Sequence, residues 1–79
     1  MPGEAMDERE IYFTKHALER IVLRDISPDD VVRAIREGER TPEGRDKARY
    51  VLRGRRETLI VICREYPEQV RVITVTRRR

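Results

Sequence analysis

Leu59-Ile60-Val61-Ile62-Cys63 is an unbroken apolar run in a chain otherwise dense with charge. Its lack of alternation predicts a strand covered on both faces, hence the centre of a sheet. Two more strand-like runs flank it. Ala48 to Arg53 leads into it through the tight connection Gly54-Arg55-Arg56. Val70 to Arg77 follows it after the turn Tyr66-Pro67-Glu68, so that the central strand spans Thr58 to Glu65. Connections this short imply antiparallel pairing. The chain has 79 residues, of which 38% are hydrophobic and 42% charged, so one thin core is available and a deep cavity is not.

The first half reads as helical. Thr14 can cap a helix from Lys15 to about Arg24, with Ala17, Leu18, Ile21 and Val22 as its apolar stripe. Beside that stripe, His16, Arg20 and Arg24 recur every four residues and share a face. Ser27-Pro28-Asp29-Asp30 starts a second helix: a cap, a proline at the first position, and acids at the positive end of the dipole. Val31, Val32 and Ile35 supply its core face, and Gly38 ends it. The two-residue link Asp25-Ile26 makes an αα-hairpin. Glu39 to Asp46, punctuated by Pro42 and Gly44, reads as a loop. Ile11 to Thr14 is a short apolar run that can either add an edge strand or lie on the core, and residues 1–9 read as a frayed, disordered tail. The expectation is an α+β domain over residues 10–79, a two-helix hairpin packed on a three- to four-stranded antiparallel sheet.

Charge is divided unevenly. Residues 1–39 hold six basic and ten acidic side chains, a net of −4, and residues 40–79 hold twelve and five, a net of +7. The second half is therefore a candidate anion-binding surface, the plainer alternative being Arg-rich strands simply solvated on one face. The acidic N-terminus has no apolar segment of a signal peptide, and no run approaches the length of a membrane span. A lone cysteine, Cys63, gives no disulfide framework and points to a reducing compartment. A cytoplasmic protein with no membrane partner is expected.

Several chemistries drop out. One His and one Cys cannot form a tetrahedral metal site within one chain. Glycine-rich phosphate loops are missing, so no cofactor is expected. Ser27 is the only serine and serves as a cap. Arginine remains. Alternation puts Arg49, Val51 and Arg53 on one face of their strand, and Tyr50 and Leu52 on the other. On the last strand it puts Arg71, Ile73, Val75 and Arg77 together, opposite Val70, Val72, Thr74 and Thr76. With Arg64 at the end of the central strand, these guanidinium forks suit phosphate. Only Tyr12, Phe13, Tyr50 and Tyr66 are aromatic, too few for a broad base-stacking platform. His16 can serve as a general acid or base in RNA cleavage, with Arg20 and Arg24 stabilising charge on the phosphate. The plainer alternative is a histidine that locks helix to sheet. Cys63 reads most simply as a small buried apolar residue.

Phe13-Thr14-Lys15-His16-Ala17, then Arg20, Arg24-Asp25-Ile26-Ser27-Pro28 and Val31, resembles the domain of unknown function 4258 family, found in bacteria and archaea. That family usually has Gly where Asp25 stands. The strands, Arg49 to Leu52, Leu59 to Ile62 and Val72 to Thr76, are similar both to that family and to BrnT-type toxins, which belong to the RelE-like ribonucleases. The resemblance implies a RelE-like fold, metal-independent cleavage of mRNA and an antitoxin partner. Its family-like positions are His16, Arg20, Arg24 and Thr74.

Three functional expectations follow. One is a toxin-type ribonuclease with His16, Arg20 and Arg24 as catalytic residues and RNA held by Arg49, Arg53, Arg64, Arg71, Thr74 and Arg77. Another is a nucleic-acid-binding module without catalysis. The third is a protein-interaction domain, for instance a homodimer through an open edge strand.

Overall fold

A computed structural model describes residues 9–79. Along the chain lie β1 (Glu10–Phe13), α1 (Lys15–Leu23), α2 (Pro28–Glu37), β2 (Glu39–Pro42), β3 (Lys47–Arg53), β4 (Thr58–Glu65) and β5 (Gln69–Arg78). The five strands form one sheet in the order β1-β5-β4-β3-β2. β1 runs parallel to β5, and the other pairs are antiparallel. The α+β class and the helix pair stand, but the sheet is five-stranded and mixed rather than antiparallel with three or four strands. The Ile11 run does add an edge strand, and a parallel pair is possible because the helical hairpin and three further strands separate it from β5. Of the expected tail, residues 1–8 lie outside the described residues, and Arg9 is anchored on Tyr50 and Glu65.

β2 replaces part of the expected loop. Its Glu39-Arg40-Thr41-Pro42 is exposed throughout and shows no apolar alternation. Gly38 makes the strand possible. A Cβ there would lie 2.8 Å from the Val51 carbonyl oxygen and closer still to that of Ala34. Its backbone is extended (φ −75°, ψ 172°), so space rather than a left-handed turn requires glycine.

The helix starts follow their caps. Thr14 Oγ1 accepts from the Ala17 amide at 3.1 Å and donates to the Val72 carbonyl at 2.9 Å, tying β1, α1 and β5 together. Ser27 accepts from the Asp29 amide. α1 ends with the Ile26 amide on Ile21 O and the Asp25 amide on Val22 O, a Schellman closure. Asp25 is left-handed (φ 54°), which explains why Gly suits this corner and Asp is tolerated.

One core lies between the helices and one face of the sheet. Ala17, Ile21, Ile26, Val31, Ala34 and Ile35 pack on Ala48, Tyr50, Leu59, Val61, Cys63, Val70, Val72 and Val75. The apolar stripe expected on α1 is narrower than its sequence suggests: Leu18 is half exposed and Val22 is 78% exposed. On α2, Ala34 is buried and Val32 only partly so. β4 is the central strand, yet only one of its faces meets helices. Ile60 and Ile62 lie half-buried on the other face, where no described element packs. A bulge between Ile62 and Cys63 sets Cys63 opposite Val72 and Ile62 opposite Thr74, leaving Ile73 over. That extra residue reverses the expected alternation. Val75 and Arg77 join Val72 on the helix side, while Thr74 and Thr76 share the open face with Arg71.

Candidate nucleic-acid interface

Strand alternation and register define the open face. Val51, Ile60, Ile62, Thr74 and Thr76 form its half-buried middle. Around them stand Lys47, Arg49, Arg53, Arg64, Arg71 and Arg78. At one end of the sheet Lys47 lies directly opposite Arg64, and Arg64 directly opposite Arg71. Three cations in adjacent strands repel one another, so the row costs stability rather than adding it. Strands lie about 4.8 Å apart, which presents the row as a line of positive charge across the strands. At the other end Arg53, Thr58 and Arg78 form a second row.

Most of these arginines meet a carboxylate at the rim. Arg49 pairs with Glu43 at 2.6 Å, Arg53 with Glu39 at 2.9 Å and Arg64 with Asp46 at 3.2 Å. Exposed pairs of this kind contribute about 0–1 kcal/mol each and are readily exchanged for another anion. Arg71 is held differently. Its Nε donates to Gln69 Oε1 at 2.7 Å, and its guanidinium carbon lies 5.5 Å from the ring centres of both Tyr12 and Tyr66.

The expected site residues divide between the two faces. Arg49, Arg53, Arg64, Arg71 and Thr74 are on the open face. Arg77, moved by the bulge, faces the helices, where it donates to the Asp25 carbonyl and lies 3.7 Å from Glu57. There it borders a cleft of about 160 Å³ at the helix corner, with Asp25, Asp30, Arg33 and Glu57. His16 and Arg20 lie on α1 and Arg24 caps its C-terminus, on the helix side. Arg20 Nε donates to His16 Nε2 at 3.2 Å in an exposed contact. Arg24 reaches the Val75 carbonyl at 2.8 Å and fastens α1 to β5. The histidine group and the arginines of the open face are thus not brought together.

A second polar cluster escaped the sequence. On the helix face at the end of β4, the Glu65 side chain is only 11% exposed. It accepts from Arg9 Nη2 at 3.2 Å, from Arg40 Nε and Nη2 at 3.1 and 2.5 Å, and from the Tyr50 hydroxyl in a short hydrogen bond. Burial pushes the Glu65 carboxyl up, but the hydrogen bonds from Arg40 and Tyr50 and the nearby charges outweigh it and hold the group below the usual carboxylate range. Burial, reinforced by the Glu65 contact, raises the Tyr50 phenol. Arg40 is held still more firmly as a cation, chiefly by its hydrogen bonds to Glu65. Glu65 collects donors from three side chains, and the cluster reads as a structural clamp joining β2, β3, β4 and Arg9.

A family model described as Domain of unknown function (DUF4258) matches residues 13–77. No curated protein and no solved structure matches the chain. Among the described residues no helix is long and apolar enough to cross a membrane.

Proposed function

The chain belongs to this family, which carries no assigned activity, and we propose that its open sheet face binds RNA. The Lys47–Arg64–Arg71 row carries this reading. A fold that sets three cations side by side gives up stability, and a polyanion is the partner that repays it. Phosphate binding needs no deep pocket, which suits a flat face with half-buried apolar residues between its arginines. The sequence likeness to BrnT-type, RelE-like ribonucleases supports RNA as the polyanion, since strand arginines are what such proteins typically use. An antitoxin chain, or a second copy of this chain, is the protein partner that the same likeness suggests.

Cleavage by His16, Arg20 and Arg24 is the second reading, favoured by the direct Arg20–His16 hydrogen bond. On this geometry it requires the RNA to pass from the open face to α1 round the side of the sheet formed by β1 and the stretch of β5 beyond it. Binding alone requires no such path.

One experiment addresses both. Single-stranded RNA is incubated with the protein in EDTA, beside His16→Ala, and binding is titrated with salt. Binding through the row gives a log–log salt slope of about −2, from about −0.7 for each of three phosphates. A slope near zero, or no binding, overturns the reading. Discrete products from wild type and none from His16→Ala establish the ribonuclease.

A further inference from the structure

We infer that Tyr12, Arg71 and Tyr66 form a clamp for one unpaired nucleotide, which makes the open face selective for single-stranded RNA over duplex. This inference rests on the RNA-binding reading above and specifies which nucleic acid the face takes.

Tyr12 belongs to β1, Arg71 to β5 and Tyr66 to the β4–β5 turn. Parallel pairing sets Tyr12 directly opposite Arg71, and the turn brings Tyr66 to the same guanidinium. Both rings are accessible: Tyr12 is 54% exposed and Tyr66 38%. A guanidinium within about 6 Å of a ring face is attracted by its quadrupole, and contact with two rings fixes its orientation. The Gln69 contact engages Nε. The terminal Nη1 and Nη2 are then the donors left for a ligand, and such a pair matches two phosphate oxygens.

Arg49, Arg53 and Arg64 each already hold a carboxylate, which competes with a phosphate for the guanidinium. Arg71 has a neutral amide and two neutral rings around it. It is therefore the arginine of the row best prepared to receive an anion. Apolar exposed rings beside a phosphate receptor suit a flat group attached to that phosphate. An unpaired base stacks on an aromatic face; a base held inside a duplex shows that face to its neighbours and leaves the rings empty. The rest of the row, Lys47 and Arg64, then takes phosphates of adjoining nucleotides.

The chain contains no tryptophan, and its tyrosines are Tyr12, Tyr50 and Tyr66. Tyr50 is buried against the helices, so quenching of tyrosine emission by added RNA reports on the clamp. The test measures affinity for a single-stranded RNA and for a duplex of equal length. The proteins are wild type, Tyr12→Ala/Tyr66→Ala and Tyr12→Phe/Tyr66→Phe. The alanine variant is expected to lose about five- to hundredfold on the single strand, as removal of a stacking side chain does, with the duplex affinity and the salt slope unchanged. The phenylalanine variant is expected to bind like wild type, because stacking needs the ring and not the hydroxyl. Wild-type emission should fall on adding the single strand and stay constant with the duplex. Equal loss on both RNAs, or no loss on either, overturns the clamp while the arginine row still binds. Absence of wild-type binding to both RNAs overturns the clamp together with the reading beneath it.

Discussion

Arg64 and Glu65 are adjacent in sequence and project from opposite faces of β4. On the helix face, Glu65 gathers Arg9, Arg40 and the Tyr50 hydroxyl around one carboxylate. On the open face, Arg64 stands between Lys47 and Arg71, with Asp46 beyond at the rim. Both faces use arginine at the same end of the sheet. The difference lies in what the arginines surround. Where they enclose a carboxylate withdrawn from water they are part of the framework. Where they line up beside one another they leave positive charge to be neutralised from outside.

Removing the enclosed carboxylate should have the largest effect on the fold. Glu65→Ala takes the shared carboxylate from two guanidinium groups and a phenol and is expected to cost about 2–3 kcal/mol in a urea titration. RNA affinity of the folded variant should stay within about twofold, because the lost charge acts on the far side of the sheet. A loss below about 0.5 kcal/mol would reduce the cluster to an ordinary surface ion pair and erase the contrast.

The converse substitution is next in size. Arg64→Gln/Arg71→Gln should weaken RNA binding at least about tenfold and make the salt slope shallower by about 1.4, two phosphate contacts' worth. Folding stability should hold or rise by about a few tenths of a kcal/mol, since a like-charge row is relieved. A stability loss equal to that of Glu65→Ala would show both faces to be framework.

Acid and alkali sharpen the comparison. Folding depresses the Glu65 pKa, so the stability this group contributes is present above the ordinary glutamate value of about 4.3 and is lost as pH falls from there through the lower folded value. Folding raises the Tyr50 pKa, so its contribution is present below about 10 and is lost as pH climbs through the raised value. Denaturation midpoints across pH should therefore fall at both ends. Glu65→Gln should flatten the acid limb and Tyr50→Phe the alkaline one, whereas Arg64→Gln/Arg71→Gln should leave both as in wild type.

Local signals in the sequence carried much of this architecture. Thr14 and Ser27 placed the helix starts, and strand-like runs bounded by turn residues placed β3, β4 and β5 within a residue or so. What escaped was non-local. β2 has no apolar pattern and exists because Gly38 lets it approach β3. The bulge at Ile62/Cys63 reverses which face holds Val75, Thr76 and Arg77, and simple alternation cannot foresee an extra residue. Arg49, Arg53, Arg64 and Arg71 were legible as a set, since alternation and composition both single them out. That Lys47 stands beside them, that Tyr12 and Tyr66 meet at Arg71, and that Arg9 and Arg40 meet at Glu65 all depend on strand order. A sheet whose first strand pairs with its last leaves no trace of that in neighbouring residues.

The smallest effect tests the open face with the same kind of change that should damage the other one. Asp46 pairs with Arg64 at 3.2 Å, and both side chains are nearly half exposed. Asp46→Asn removes one negative charge from beside the cation row. At such exposure the lost pair should change stability by less than about 0.5 kcal/mol. RNA affinity should rise by about two- to threefold at low salt, the scale of one unit charge acting through water over several ångströms, and the gain should shrink as salt is added. Neutralising a carboxylate would then weaken the fold at Glu65 and strengthen binding at Asp46. If Asp46→Asn weakens RNA binding, the Arg64–Asp46 pair positions the guanidinium rather than competing for it, and the rim carboxylates belong to the binding surface.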